Sequence, residues 1–95
     1  MKSILQPKES RTCFLCSREG LVEEHHIFYG TANRKLSERY GLKVKLCPEC
    51  HRAAKIGIHG GNRSADLKLK RTGQMAFEER YKDLCFREIF GINYL

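Results

Sequence analysis

No stretch of this sequence is apolar for long enough to cross a membrane as a helix. The opening residues Met1-Lys2-Ser3-Ile4-Leu5-Gln6-Pro7-Lys8-Glu9 contain no hydrophobic stretch of the secretory type. Internal repeats and low-complexity tracts are missing too, which excludes a repeat solenoid and a long disordered linker. The expected compartment is therefore the cytoplasm. There a thiol stays reduced, so the five cysteines point to metal ligands before disulfides. Acidic residues are also scarce, 11 against 18 Lys and Arg, for a net charge of +7. With 95 residues, 41% of them apolar, the chain has the length of one domain with a modest core. Domains of this size often rely on a staple.

The positive charge is unevenly placed. Residues 1–33 and 72–95 are close to balanced, whereas residues 34–71 hold eleven basic groups against Glu38, Glu49 and Asp66, an excess of eight. Such a segment attracts a polyanion. The bland reading is a solubilising surface.

The pattern predicts one domain over residues 1–95: a polar arm at 1–12, a core at 13–60 and a helical tail at 61–95. Leu21 to Ile27 reads as a strand and Phe28 to Ala32 as a loop. Asn33 suits an N-cap and Gly41 a C-terminal cap, which predicts a helix over 34–40. Lys43-Val44-Lys45-Leu46 alternates with period two and reads as a second strand. Pro48 and Glu49 suit the first turn of a helix that ends before Gly57. Ser64 is the expected cap of a long helix to about Tyr81, and Asp83 that of a last helix ended by Gly91. Phe77, Tyr81, Phe86 and Phe90 read as core rather than as base-stacking platforms, and Cys85 as a small buried apolar residue.

The chemistry concentrates between Cys13 and His59, which span all four histidines and four of the five cysteines. Cys13/Cys16 and Cys47/Cys50 are two Cys-x-x-Cys pairs, the spacing of a four-cysteine zinc site. Each tight turn supplies two corners of a tetrahedron. A structural Zn²⁺ there adds folding free energy that a small core lacks. The alternative is four unrelated thiols. That site is full, so the histidines need another role. His25-His26 ends the first strand and His51 follows the last zinc cysteine, so a hairpin packed on the helix brings them together.

Glu24-His25-His26-Ile27 followed by Leu46-Cys47-Pro48-Glu49-Cys50-His51 resembles the motif of HNH endonucleases. With Asn33-Arg34-Lys35, Ser37-Glu38 and Gly41-Leu42, it is similar to small phage and prophage HNH proteins. The resemblance covers residues 13 to about 60 and the tail only loosely. It implies an α+β fold, a ββα-metal domain stapled by zinc with C-terminal helices. It also implies hydrolysis of phosphodiester bonds, with DNA the first expectation for substrate. His26 would be the general base, since a neutral imidazole suits proton transfer near pH 7. His25 and His51 would hold a divalent metal, Mg²⁺ or Mn²⁺, with Ni²⁺, Co²⁺ or Zn²⁺ also suited to two imidazoles. The family usually places an asparagine nine residues before the helix histidine, where this chain has Leu42. Asn33 is the expected substitute in orienting the base, and Ser37 the second choice. Adjacent strand residues face opposite sides, so His25 and His26 serve one phosphate only if the strand bends or ends there.

His59 stands as a third ligand, a phosphate contact or an ordinary loop histidine. Glu23 and Glu24 read as solvated strand carboxylates. Arg34, Lys35, Arg39, Lys43, Lys45 and Lys55 are the candidates for contact with a nucleic-acid backbone. Two further classes compete with the enzyme: a zinc-stapled module that binds nucleic acid without cutting it, and a protein-interaction module. Monomer and homodimer are both open.

Overall fold

The alternation of Lys43-Val44-Lys45-Leu46 suits a strand with one buried face. In the computed structural model, which describes residues 1–95, β1 (Glu23–His26) pairs antiparallel with β2 (Lys43–Leu46). The register sets His25 opposite Val44 and His26 opposite Lys43. Because the side-chain period of a strand is two, Glu23 and His25 share the inner face with Val44 and Leu46, and Glu24 and His26 share the outer face with Lys43 and Lys45. His25, Val44 and Leu46 are buried. Leu21, expected inside the first strand, lies outside it and is exposed.

Four helices complete an α+β fold: α1 (Thr31–Tyr40), α2 (Pro48–Arg52), α3 (Arg63–Arg80) and α4 (Phe86–Phe90). No helix is long and apolar enough to cross a membrane. α1 starts earlier than its sequence signals indicate. Gly30, at φ 92°, is the capping residue, and Asn33 sits within the first turn. The left-handed Gly41 ends α1 as expected, and the left-handed Gly91 ends α4. α3 is capped by the Asn62 side chain, which accepts from Ala65 N at 3.1 Å, not by Ser64. The cap position of α4 is Cys85 rather than Asp83, and Cys85 is exposed rather than buried.

The helical tail supplies much of the core. Leu69, Gly73 and Phe77 fall on one stripe of α3, four residues apart, and all are buried. Gly73 is needed for the close approach: a Cβ there would press on Ile27 and the Phe28 ring at 3.0–3.3 Å. Phe28 packs on Phe86 and Phe90 with ring centroids 5.2 and 4.8 Å apart. Phe77, Phe86 and Phe90 are thus core residues, as their spacing implies.

The first twelve residues are a packed element rather than a free arm. Ile4 N donates to Gly41 O at 2.9 Å, Ser3 Oγ to Lys43 O, and Lys45 N to Gln6 Oε1 at 2.7 Å. The arm therefore covers the free edge of β2 and satisfies its backbone groups.

Candidate metal centres and the outer face of the hairpin

Cys13 and Cys16 lie in a tight turn held by Cys13 N donating to Arg18 O at 2.8 Å, with Ser17 at φ 66°. Phe14 N donates to Lys45 O at 2.8 Å, which docks that turn beside β2. Cys47 and Cys50 sit at the start of α2. The four sulfurs all lie within 4.8 Å of one another, and Cys16 Sγ is 3.7 Å from Cys47 Sγ. Zn–S bonds of about 2.3 Å in a tetrahedron separate sulfurs by roughly 3.8 Å. The cluster is therefore compatible with a structural zinc ion. Burial opposes ionisation of Cys13, but backbone N–H groups of Cys16, Cys47 and Leu15 outweigh it and bring its thiol down to about 7. Burial and the neighbouring thiols of Cys47, Cys16 and Cys13 push Cys50 far above its usual range. A divalent cation among them removes that conflict.

A second cluster forms on the inner side of the hairpin. His25 comes from β1, His51 from α2 and His59 from the loop after α2, and their ligand atoms also lie within 4.8 Å of one another. The ring centroids are 5.2, 5.0 and 4.9 Å apart, all edge-on. His59 is the residue that sequence reasoning left open among three roles, and the backbone places it here. After Arg52 the chain folds back on α2, with Ile58 N donating to Cys50 O and His59 N to His51 O, both at 2.9 Å. That is why α2 ends well before Gly57. A Cβ at Gly57 or Gly60 would run into the backbone of Glu49, Arg52 and Ala53.

His25 is 1% exposed, and its Nε2 has no hydrogen-bond partner. Burial, then the neighbouring His51 and His59, hold its pKa down at about 3, so the ring is neutral and its lone pair free. An unpaired buried nitrogen calls for a partner, an ordered water or an ion. His51 Nδ1 donates to Glu23 Oε1 at 2.8 Å, which leaves Nε2 as the accepting atom. Arg52, and then His51, keep the Glu23 carboxyl ionised, down at about 2. Glu23 is thus not merely a solvated strand carboxylate. Its place two residues before His25, on the same face of β1, was the available signal. The Tyr29 ring closes the cluster, 5.0 Å from His59 and 5.8 Å from His25, and its hydroxyl donates to Asp66 Oδ2 at 2.7 Å.

His26 turns the other way. On the outer face its Nε2 pairs with Glu38 Oε1 at 3.0 Å. Lys43 Nζ is 2.9 Å from Glu38 Oε2 and 3.6 Å from Glu24 Oε2, and its side chain is only 13% exposed, so its charge is already matched. An open cleft beside His26 is lined by Thr31, Arg34, Lys35 and Glu38. Lys45 lines a separate cavity with the arm. Arg39 and Lys55 are exposed but line neither, and Arg39 lies over its neighbour Tyr40.

Comparison with known protein families, curated proteins and solved structures finds no match for this chain. Its reading rests on the geometry.

The expected substitute for the missing asparagine is corrected. The hydrogen bonds to His26 and to the loop come from Glu38 and Ser37, not from Asn33. Ser37 Oγ is buried, donates to Phe28 O at 2.7 Å and accepts from Phe28 N at 3.0 Å. Leu42 is wholly buried in the core.

Proposed function

We propose that the chain is a metal-dependent endonuclease of the HNH type that hydrolyses phosphodiester bonds, with DNA as the first candidate substrate. The observation that carries this reading is the three-histidine cluster, with its neutral, unpartnered His25 nitrogen and its carboxylate-oriented His51. A purely structural zinc module has no use for such a second donor set. His25, His51 and His59 would hold Mg²⁺, Mn²⁺, Ni²⁺, Co²⁺ or Zn²⁺, the three-imidazole set favouring the later metals. When bound, the metal supplies a charge that holds a phosphate oxygen and offsets the negative charge of the transition state.

His26 is the general base in this account. It is the last residue of β1, next to His25 in the chain, so a phosphodiester that reaches both His26 and the cluster would have to cross this end of the hairpin. His26 takes the proton of the attacking water, while Glu38 fixes the ring and its tautomer. Ser37 holds the loop that follows. The two tasks of the family's asparagine are thereby divided between consecutive residues of α1.

A second reading is a zinc-stapled module that binds nucleic acid without cutting it. The opposed directions of His25 and His26 favour it. Incubating supercoiled plasmid and a long RNA with the protein and each metal in turn, with and without chelator, separates the two. Chelator-sensitive cleavage supports the nuclease. Binding with no cleavage under any metal supports the module.

A further inference from the structure

The packed arm brings cations to the same face as His26 that the sequence alone left in a balanced, unremarked segment. Lys2 and Lys8 line a cavity of about 460 Å³ with Lys45 of β2. Sites of about 300–1,000 Å³ have room for a small-molecule ligand. Glu24 is the one carboxylate on its wall, and it faces Lys43. None of Lys2, Lys8 and Lys45 is in an ion pair, since every ion pair of the chain uses other cations. Three lysines without a carboxylate partner thus line one concavity.

His26 and Glu38 line the cleft of Arg34 and Lys35, and Lys43 bridges Glu38 to Glu24 on the wall of the cavity. Arg34 and Lys35 are equally free of carboxylate partners. Unmatched positive charge therefore lines both of the concavities that these contacts join. A single anion would need one such pocket. A charge repeated along a chain would use both.

We infer that this outer face is a track for a nucleic-acid backbone, running from Arg34 and Lys35 across His26 to a phosphate cradle formed by Lys2, Lys8 and Lys45. The inference deepens the nuclease reading and rests on it for the identity of the polyanion. The arm is the part of it that no motif announces. Its anchoring through Ser3, Ile4 and Gln6 to β2 and Gly41 presents Lys2 and Lys8 already ordered.

The test is binding of a short DNA duplex by fluorescence anisotropy, in chelator, between about 50 and 200 mM salt. Each phosphate contact contributes about 0.9 to the slope of log affinity against log salt. Lys2→Gln/Lys8→Gln/Lys45→Gln should lower that slope by roughly 2–3 and weaken low-salt binding by tenfold or more. Lys2→Arg/Lys8→Arg/Lys45→Arg should keep both. Arg63→Gln/Lys68→Gln/Arg80→Gln, which removes exposed cations of α3, should change neither. The inference is overturned if the glutamine triple keeps the wild-type slope while the α3 triple loses it. It is also overturned if the cavity binds a mononucleotide and the protein shows no affinity for duplex. Cleavage measured on the same proteins separates this from the activity. An arm-dependent slope without cleavage upholds the track and removes the nuclease. Cleavage with arm-independent binding does the reverse.

Discussion

His26 and Glu38, twelve residues apart, meet on the outer face of the hairpin with Nε2 and Oε1 separated by 3.0 Å. The Met1 amine, His26 and Lys43 hold the Glu38 carboxyl well below the usual carboxylate range. Glu38 therefore meets the candidate base as a carboxylate, and an imidazole paired with a carboxylate is fixed in orientation.

Glu38→Gln should lower kcat for cleavage roughly 10- to 100-fold, the usual effect of removing an orienting partner, with KM nearly unchanged. Glu38→Asp should recover part of the loss. A loss confined to KM would assign Glu38 to substrate binding instead.

The same pair sets a pH dependence. The pKa of Glu38 is lower folded than unfolded, so the unfolded chain binds more protons as acid is added. Its stabilising effect is complete above the unfolded value of about 4.5 and fades as the pH falls toward the lowered one. Wild type should melt above Glu38→Gln at pH 7, and the gap between the two melting temperatures should narrow as the pH falls below about 4.5. Parallel curves from pH 7 to pH 3 would show that the ion pairs of Glu38 do not stabilise the fold.

Removing the Ser37 hydroxyl strands the buried N–H of Phe28. Ser37→Ala should destabilise the protein by about 1–3 kcal/mol in denaturant titration. Ser37→Thr, which keeps the hydroxyl, serves as the comparison. No change in the alanine variant would remove Ser37 from its role in holding the loop.

The sulfur cluster predicts one tightly held zinc per chain. Cys47→Ser should lose it and should lose cooperative unfolding with it, because binding and folding are linked at such sites. A folded wild-type protein with no zinc by elemental analysis would refute this. Cobalt distinguishes the two centres. His59→Ala should remove or weaken the Co²⁺ bound through nitrogen and leave the sulfur-bound Co²⁺ with its thiolate charge-transfer bands. Unchanged nitrogen-bound cobalt would exclude His59 as a ligand.

Much of this arrangement was legible as local pattern. Cys-x-x-Cys twice announced the sulfur cluster, the alternation at Lys43–Leu46 announced β2, and Gly41 and Gly91 marked two helix ends. Those signals act over a few residues. What was not legible depends on contacts between distant segments. Glu38 reaches His26 only because α1 lies against β1, and the residue one position earlier, Ser37, is turned about 100° around the helix toward the core. Asn33 reads from the sequence as a polar loop residue, but the helix begins at Thr31 and takes Asn33 into its first turn. His59 joined the cluster through the fold-back at Gly57 and Gly60, whose need for bare backbone shows only in three dimensions. The arm's docking likewise depends on the free edge of β2, which no composition reveals.

In the proposed mechanism His26 does the chemistry while the three-histidine cluster binds metal. Its most direct test is the metal-dependent nicking rate of wild type and His26→Ala, with duplex affinity and zinc content measured on the same samples. The account predicts a fall in rate of roughly 10²- to 10⁴-fold, the usual worth of a positioned base, with affinity and zinc unchanged. Wild-type protein that cleaves neither DNA nor RNA with Mg²⁺, Mn²⁺, Ni²⁺ or Co²⁺, or a His26→Ala variant that cuts at the wild-type rate, would contradict it.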